Sequence, residues 1–115
     1  MGLNIWRQGS WLVAEISGDL DIASVPLIRV RLDQTLSDQI VCGLILDLTG
    51  VSFLDSSGLG FVLGRYRHLA KKRRKMIVTG LHGQVERVFK LSGLTNIIPK
   101  KKTLTEALQA VKEDG

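Results

Sequence analysis

Apolar positions recur along this chain with two different periods, and the switch between them marks out its elements. Asn4-Ile5-Trp6-Arg7-Gln8 and Trp11-Leu12-Val13-Ala14-Glu15-Ile16-Ser17, separated by Gly9-Ser10, read as two strands joined by a two-residue turn. Gly18 ends the second strand. Ser24 and Pro26 then mark a helix start, because proline is tolerated in the first turn and not deeper. Val25, Ile28, Leu32 and Leu36 give that helix a single apolar stripe, which stops at Ser37-Asp38. Leu44-Ile45-Leu46-Asp47-Leu48 is short and branched enough for a strand buried on both faces. Thr49-Gly50 breaks the run, and Val51-Ser52-Phe53-Leu54 leads to Asp55-Ser56-Ser57-Gly58. From Leu59 the helical period takes over, with Leu59, Val62, Leu63, Tyr66, Leu69 and Ala70 on one stripe.

Met76-Ile77-Val78-Thr79-Gly80 is a further short strand. Gly83 precedes a helix with Val85, Val88 and Phe89 inward, closed by Ser92-Gly93. Asn96-Ile97-Ile98 reads as a short strand stopped by Pro99. Thr103, with Glu106 three positions on, forms a capping box for a last helix carrying Leu104, Ala107, Leu108 and Val111 on one face. Glu113-Asp114-Gly115 is expected to fray. The order β-β-α-β-α-β-α-β-α predicts an α/β fold, a single domain over residues 1–115. Its sheet is expected to be mixed and mostly parallel, of about five strands, with helices packed on it and the hairpin as an antiparallel edge. Such sheets bind things at the carboxyl ends of their parallel strands. Asp19-Leu20-Asp21 and Asp55-Ser56-Ser57 belong to two strand-to-helix loops and are expected to be neighbours there.

Composition narrows the class. The 115 residues are enough for one domain with a real core, and the 44% apolar content is ordinary for a soluble protein. No apolar run approaches the roughly 20 residues needed to span a bilayer, and no secretory leader pattern opens the chain. The single cysteine, Cys42, has no internal disulfide partner; a buried small side chain in a reducing cytoplasm is expected. The net charge of +5 comes largely from Lys71-Lys72-Arg73-Arg74-Lys75 and Lys100-Lys101-Lys102. The first run falls where the long helix ends, and cations are favoured there. A solvated helix terminus is one account of it; a nucleic-acid or anionic-surface patch is the other. No aromatic residue is interleaved with either run, which argues against base stacking. Neither a membrane partner nor direct nucleic-acid contact is expected.

The groups needed for catalysis are missing. A serine nucleophile requires a base within hydrogen-bond reach, and the two histidines, His68 and His82, both read as surface residues. Neither G-x-S-x-G nor a G-x-x-x-x-G-K-[ST] phosphate loop occurs. Two histidines and one cysteine lack metal-ligand spacing. The chain is therefore expected to be no enzyme, with no metal and no cofactor. Asp55-Ser56-Ser57 at a helix start has two readings. It caps the helix, or one hydroxyl accepts a phosphate, which helix-end N–H groups would hold and the Asp55 carboxylate would repel. Phe61, Gly64 and His68 lie opposite the core stripe at 100° per residue, on the side of Ser57, so an exposed docking face is expected there.

The block VSFLDSSGLGFVLGRYR, with SGDLD upstream and VFKLSGLTNII downstream, resembles the anti-sigma factor antagonists of the STAS domain family over nearly the whole chain. Within that family the chain resembles the sporulation-type antagonists of spore-forming bacteria. The resemblance implies a binding protein that engages an anti-sigma factor with serine-kinase activity and so frees the sigma factor. The same partner phosphorylates the serine directly after the aspartate, here Ser56, and a PP2C-type phosphatase restores the active form. It further implies a partner surface made of Asp19 and Asp21 in the first loop, Asp55 and Ser56, and the helix from Ser57 to Arg65, with Gly58, Phe61 and Gly64. Arg65-Tyr66 matches the family's Arg-Tyr pair. A STAS module of a stress-signalling complex, or a nucleotide-sensing domain, is the alternative. The KKRRK run and Leu81-His82-Gly83 depart from the family pattern.

Overall fold

Five stretches of extended chain become β1 (Gly2–Gln8), β2 (Trp11–Ser17), β3 (Gly43–Gly50), β4 (Lys75–Thr79) and β5 (Lys100–Lys101). Between them lie α1 (Val25–Asp38), α2 (Ser56–Lys71), α3 (Gly83–Leu91) and α4 (Leu104–Glu113), in a computed structural model that describes residues 2–113. The strands form one sheet in the order β1-β2-β3-β4-β5, with β1 antiparallel to β2 and every other pair parallel. The hairpin turns at Gly9, whose φ of 61° suits glycine. The expected α/β architecture and element order are both present.

Side chains alternate across a strand, so β2, β3 and β4 each feed two cores. Leu12, Ala14 and Ile16 of β2, Leu44, Leu46 and Leu48 of β3, and Met76 and Val78 of β4 face the larger one. There they meet Ile28, Leu32 and Leu36 of α1, Val62 and Leu69 of α2, and Val85 and Phe89 of α3. Trp11, Val13 and Ile45 point the other way, onto Ala107 and Val111 of α4. Three helices thus cover one face and one covers the other, which explains why β3 is buried from Gly43 through Leu48. Asp47 lies within that buried run. Its Oδ1 accepts hydrogen bonds from the Thr49 N–H (3.1 Å), the Thr49 hydroxyl (2.6 Å) and the Thr79 hydroxyl (3.0 Å), which supply the partners a buried carboxylate requires.

Helix starts follow the sequence closely. The Thr103 hydroxyl accepts the Glu106 N–H at 3.1 Å, and the Glu106 carboxylate reaches back to the Lys102 N–H at 3.3 Å. Three local expectations fail. Asn96-Ile97-Ile98 is no strand: Leu94–Asn96 is a 3-10 turn entered through Gly93 at φ 80°, and Ile98 drops into the core. Pairing begins only after Pro99, whose carbonyl accepts the Val78 N–H, so β5 is two lysines without an apolar signature. Cys42 is exposed rather than buried, because Gly43 beside it is the residue packed against Trp11. Ala70, placed on the core stripe of α2, is exposed as well. Asp114 and Gly115, in the end expected to fray, lie outside the described residues.

Candidate functional site

The loops that follow β2 and β3 are stitched together at the carboxyl end of the sheet. Leu20 donates its N–H to the Phe53 carbonyl (2.9 Å), and Asp55 donates its own to the Leu20 carbonyl (3.3 Å), forming an isolated parallel bridge between Leu20 and Leu54. From the other side Gln84, in the first turn of α3, grips the Leu54 backbone twice. Its amide oxygen accepts the Leu54 N–H at 3.0 Å and its amide nitrogen donates to the Leu54 carbonyl at 2.8 Å. The segment leading into α2 is therefore clamped between two neighbours, and the serines sit on a fixed base. Asp19-Leu20-Asp21 and Asp55-Ser56-Ser57 are neighbours as expected.

Asp55 is the N-cap of α2. One carboxylate oxygen accepts the Gly58 N–H at 3.0 Å and the other accepts the Ile22 N–H at 3.1 Å, so the same side chain caps the helix and anchors the first loop. The Gly58 N–H, followed by those of Ile22 and Ser57, holds the carboxyl below its ordinary value of 3.8. A lowered folded pKa contributes stability that is fully present above 3.8 and is lost as pH falls through the folded value. Asp55→Asn is expected to flatten the part of an acid-unfolding curve that lies below pH 3.8, measured by circular dichroism. An unchanged acid limb would count against this role of the cap.

The remaining predicted residues divide into three groups. Ser56 is exposed on the first residue of α2, Ser57 is half-buried, and Gly64 is partly exposed with open space where a side chain would project. Asp19 is exposed, and its carboxylate makes no hydrogen bond among the described residues. Asp21 is committed locally: one carboxylate oxygen accepts the N–H groups of both Ala23 and Ser24 at 3.0 Å, shaping the entry to α1. Gly58 is buried against the Leu20 carbonyl and cannot itself present a surface.

Phe61 departs from the expected exposed face, and Arg65 from the open partner surface that the resemblance implies. Phe61 is 4% exposed and belongs to the main core. The Arg65 guanidinium lies 5.2 Å from the centroid of its ring and 3.2 Å from a carboxylate oxygen of Asp33 on α1, with its side chain 11% exposed. The pair attracts by charge without good hydrogen-bond geometry, since Arg65 Nε and Nη1 and Asp33 Oδ1 lack a well-aligned partner. Burial pushes the Arg65 guanidinium below its ordinary range, and the Asp33 carboxylate opposes that shift. The physical reason is simple. A helix packed on a sheet and on a neighbouring helix buries two sides, and a single-stripe projection recognises one.

Apolar exposure at this end falls instead on the loops. Ile22 is 74% exposed and Phe53 is 43% exposed. Ile22 is tied to the Asp55 cap and Phe53 lies three residues before Ser56, so both flank the serine. Sequence reasoning passed over them, as it did Gln84; the hint for Ile22 was an apolar residue standing alone in a polar loop. His68 and His82 are exposed, and His82 Nε2 lies 2.9 Å from the Thr49 carbonyl. Among the described residues no cluster of His, Cys, Asp and Glu could hold a metal ion. Three surface cavities lie along α4, the β1–β2 turn and the β4–β5 edge, and Ser56 lines none of them.

Comparison with known proteins points the same way. Residues 3–107 match the family model of the STAS domain. The anti-sigma F factor antagonist of Paenibacillus polymyxa is 34% identical over 88 residues, which covers 76% of this chain and 75% of that protein. The anti-sigma-B factor antagonist of Listeria monocytogenes is 32% identical over 88 residues, covering 75% of each. The anti-sigma factor antagonist SpoIIAA in its unphosphorylated form superposes with a TM-score of 0.77 at 26% identity, over 96% of this chain and 98% of that one. SpoIIAA from Bacillus in the phosphorylated form gives 0.76 at 29% identity, over 96% and 99%.

Proposed function

The chain belongs to the STAS domain family, and we propose that it is an anti-sigma factor antagonist, a regulatory binding protein rather than an enzyme. In this reading the unphosphorylated form binds an anti-sigma factor with serine-kinase activity in the cytoplasm and releases the sigma factor. The same partner then phosphorylates Ser56 and is let go, and a PP2C-type phosphatase reverses the modification. The observation that carries the reading is an exposed serine on the first residue of a rigidly clamped helix, directly after its capping aspartate. A related fold solved in both unphosphorylated and phosphorylated forms supports a two-state switch of this kind. Among the described residues no helix is long and apolar enough to cross a membrane.

The contact surface in this proposal comprises Asp19, Ser56, Ser57 and the bare stretch at Gly64, with Ile22 and Phe53 supplying the apolar contacts first assigned to Phe61. Asp21, Asp55, Gly58 and Arg65 act by holding that surface in shape. Incubation with the candidate anti-sigma kinase and ATP, followed by intact mass and fragmentation, tests it. One phosphate on Ser56, absent from Ser56→Ala and retained in Ser57→Ala, is the expected result. Phosphate on another residue, or none with a kinase active on a control substrate, overturns it.

A further inference from the structure

The end of the molecule opposite Ser56 is a second, differently built surface. α2 ends at Lys71, and the chain reverses through Lys72 and Arg73, the latter at φ 57°, before entering β4. The Leu69 carbonyl closes this turn by accepting the N–H groups of Lys72 (3.0 Å) and Arg74 (2.9 Å). Arg74 then donates to the Leu36 carbonyl at the close of α1 (3.3 Å). Arg7 bridges the hairpin turn and the loop after α1, donating to the Gly9 carbonyl at 2.9 Å and to the Ile40 carbonyl at 3.2 Å. Cys42 fastens that loop between the Ser10 carbonyl and the Lys75 N–H. The result is a fixed platform on which Ile40 stands 87% exposed beside the cationic turn. Among the described residues none of Arg7, Lys71, Lys72, Arg73 and Arg74 is paired with a carboxylate, although the Asp38 carboxylate is also exposed at this end.

We propose that this platform docks on an anionic phospholipid surface, its cations among the headgroups and Ile40 entering the interface. Cations alone would serve a nucleic acid equally well. A phosphate track, however, would leave Ile40 in water, and of the aromatic residues near this end Trp11 is buried under Gly43 while Tyr66 is packed against the main core, so neither offers a free face for a base to stack on. A headgroup layer takes up both the charge and the apolar tip. The absence of a spanning run, which set the expectation of no membrane partner, bears on crossing a bilayer and not on lying against one. Along α2, Ser56 stands about 22 Å from Lys71, more than two screening lengths at about 0.1 M salt. The Ser56 end stays open to a partner while the opposite end is docked, and the inference does not rest on phosphorylation.

Sedimentation with vesicles of equal parts phosphatidylcholine and phosphatidylglycerol, against phosphatidylcholine alone, tests the proposal at about 0.1 M salt. Binding is expected to the anionic vesicles only, weakening as salt is raised. Lys71→Gln, Lys72→Gln and Arg73→Asn together should lower partitioning roughly 100-fold, at about fivefold for each cation. Ile40→Ser should lower it about tenfold with the salt dependence unchanged. All four side chains are exposed, so unchanged melting curves verify that the variants are folded. Failure to bind anionic vesicles, or equal binding by the triple variant, overturns the proposal. So does an Ile40→Ser variant that binds as the parent does while random duplex DNA displaces the vesicles, an outcome that assigns the surface to nucleic acid.

Discussion

Gly58→Ala is expected to lower the melting temperature by roughly 10 °C and to abolish partner binding, although Ala is the better helix former. A Cβ at Gly58 falls on the Leu20 carbonyl oxygen and close to the Leu54 side chain, and the first of these is backbone that cannot swing aside. That carbonyl is the one accepting the Asp55 N–H, so the collision pries apart the two loops that position Ser56. Overpacking of this kind costs about 3 kcal/mol, against a total of about 5–15 kcal/mol for a domain, so the variant remains folded but loosened at the site. Gly60 and Gly64 in the same helix provide the contrast. Nothing lies within 4 Å of a Cβ at either, and Ala there should stabilise by about 0.5–1 kcal/mol each. Gly64→Ala is expected to raise stability while weakening the partner complex, a split that separates a bare contact face from a flexible hinge. Thermal melts with titration of the partner measure both quantities. A Gly58→Ala protein that melts with the parent would refute the account of the clamp.

Much of this arrangement is legible in the sequence because it rests on strong local signals. Ile28, Leu32 and Leu36 repeat at helical spacing and are buried as a set; Thr103 and Glu106 close their capping box. The two acidic loops could be paired in advance because they follow adjacent parallel strands, whose carboxyl ends share one edge. What escaped depended on tertiary geometry. Phe61 looks outward on a single-stripe projection, and the resemblance alone puts Arg65 on the partner surface, but Phe61 is part of the main core and Arg65 lies over its ring and against Asp33 of α1. Gln84 is an ordinary polar residue in the sequence. Its role exists only because α3 begins beside Leu54, thirty positions earlier in the chain. β5 consists of two lysines that pair only through their backbone with Val78 and Thr79, and no hydrophobic pattern can reveal a strand of that kind.

Phosphorylation of Ser56 is expected to weaken the partner complex at least about 100-fold, close to 2.7 kcal/mol, with no change in fold. Helix N-termini commonly welcome phosphate, and a stabilised loop would be the natural outcome if the donors were open. Here the Gly58 and Ile22 N–H groups are already engaged by an Asp55 carboxylate that stays ionised at neutral pH. The new group, carrying roughly −1.5 to −2 charges, stays on the surface beside a fixed negative charge and next to exposed Ile22 and Phe53. A partner seated on that apolar rim must then desolvate a dianion that stands beside the Asp55 carboxylate. Ser56→Ala should bind continuously, and Ser56→Asp should weaken binding only in part, since one carboxylate carries less charge and fewer acceptor oxygens. Calorimetric titration of the partner into both forms, at low and raised salt, decides the mechanism. Repulsion is screened by salt, so the gap between the forms should narrow as salt rises. A gap that does not respond to salt would make steric exclusion the cause, and equal affinities would remove Ser56 as the switch.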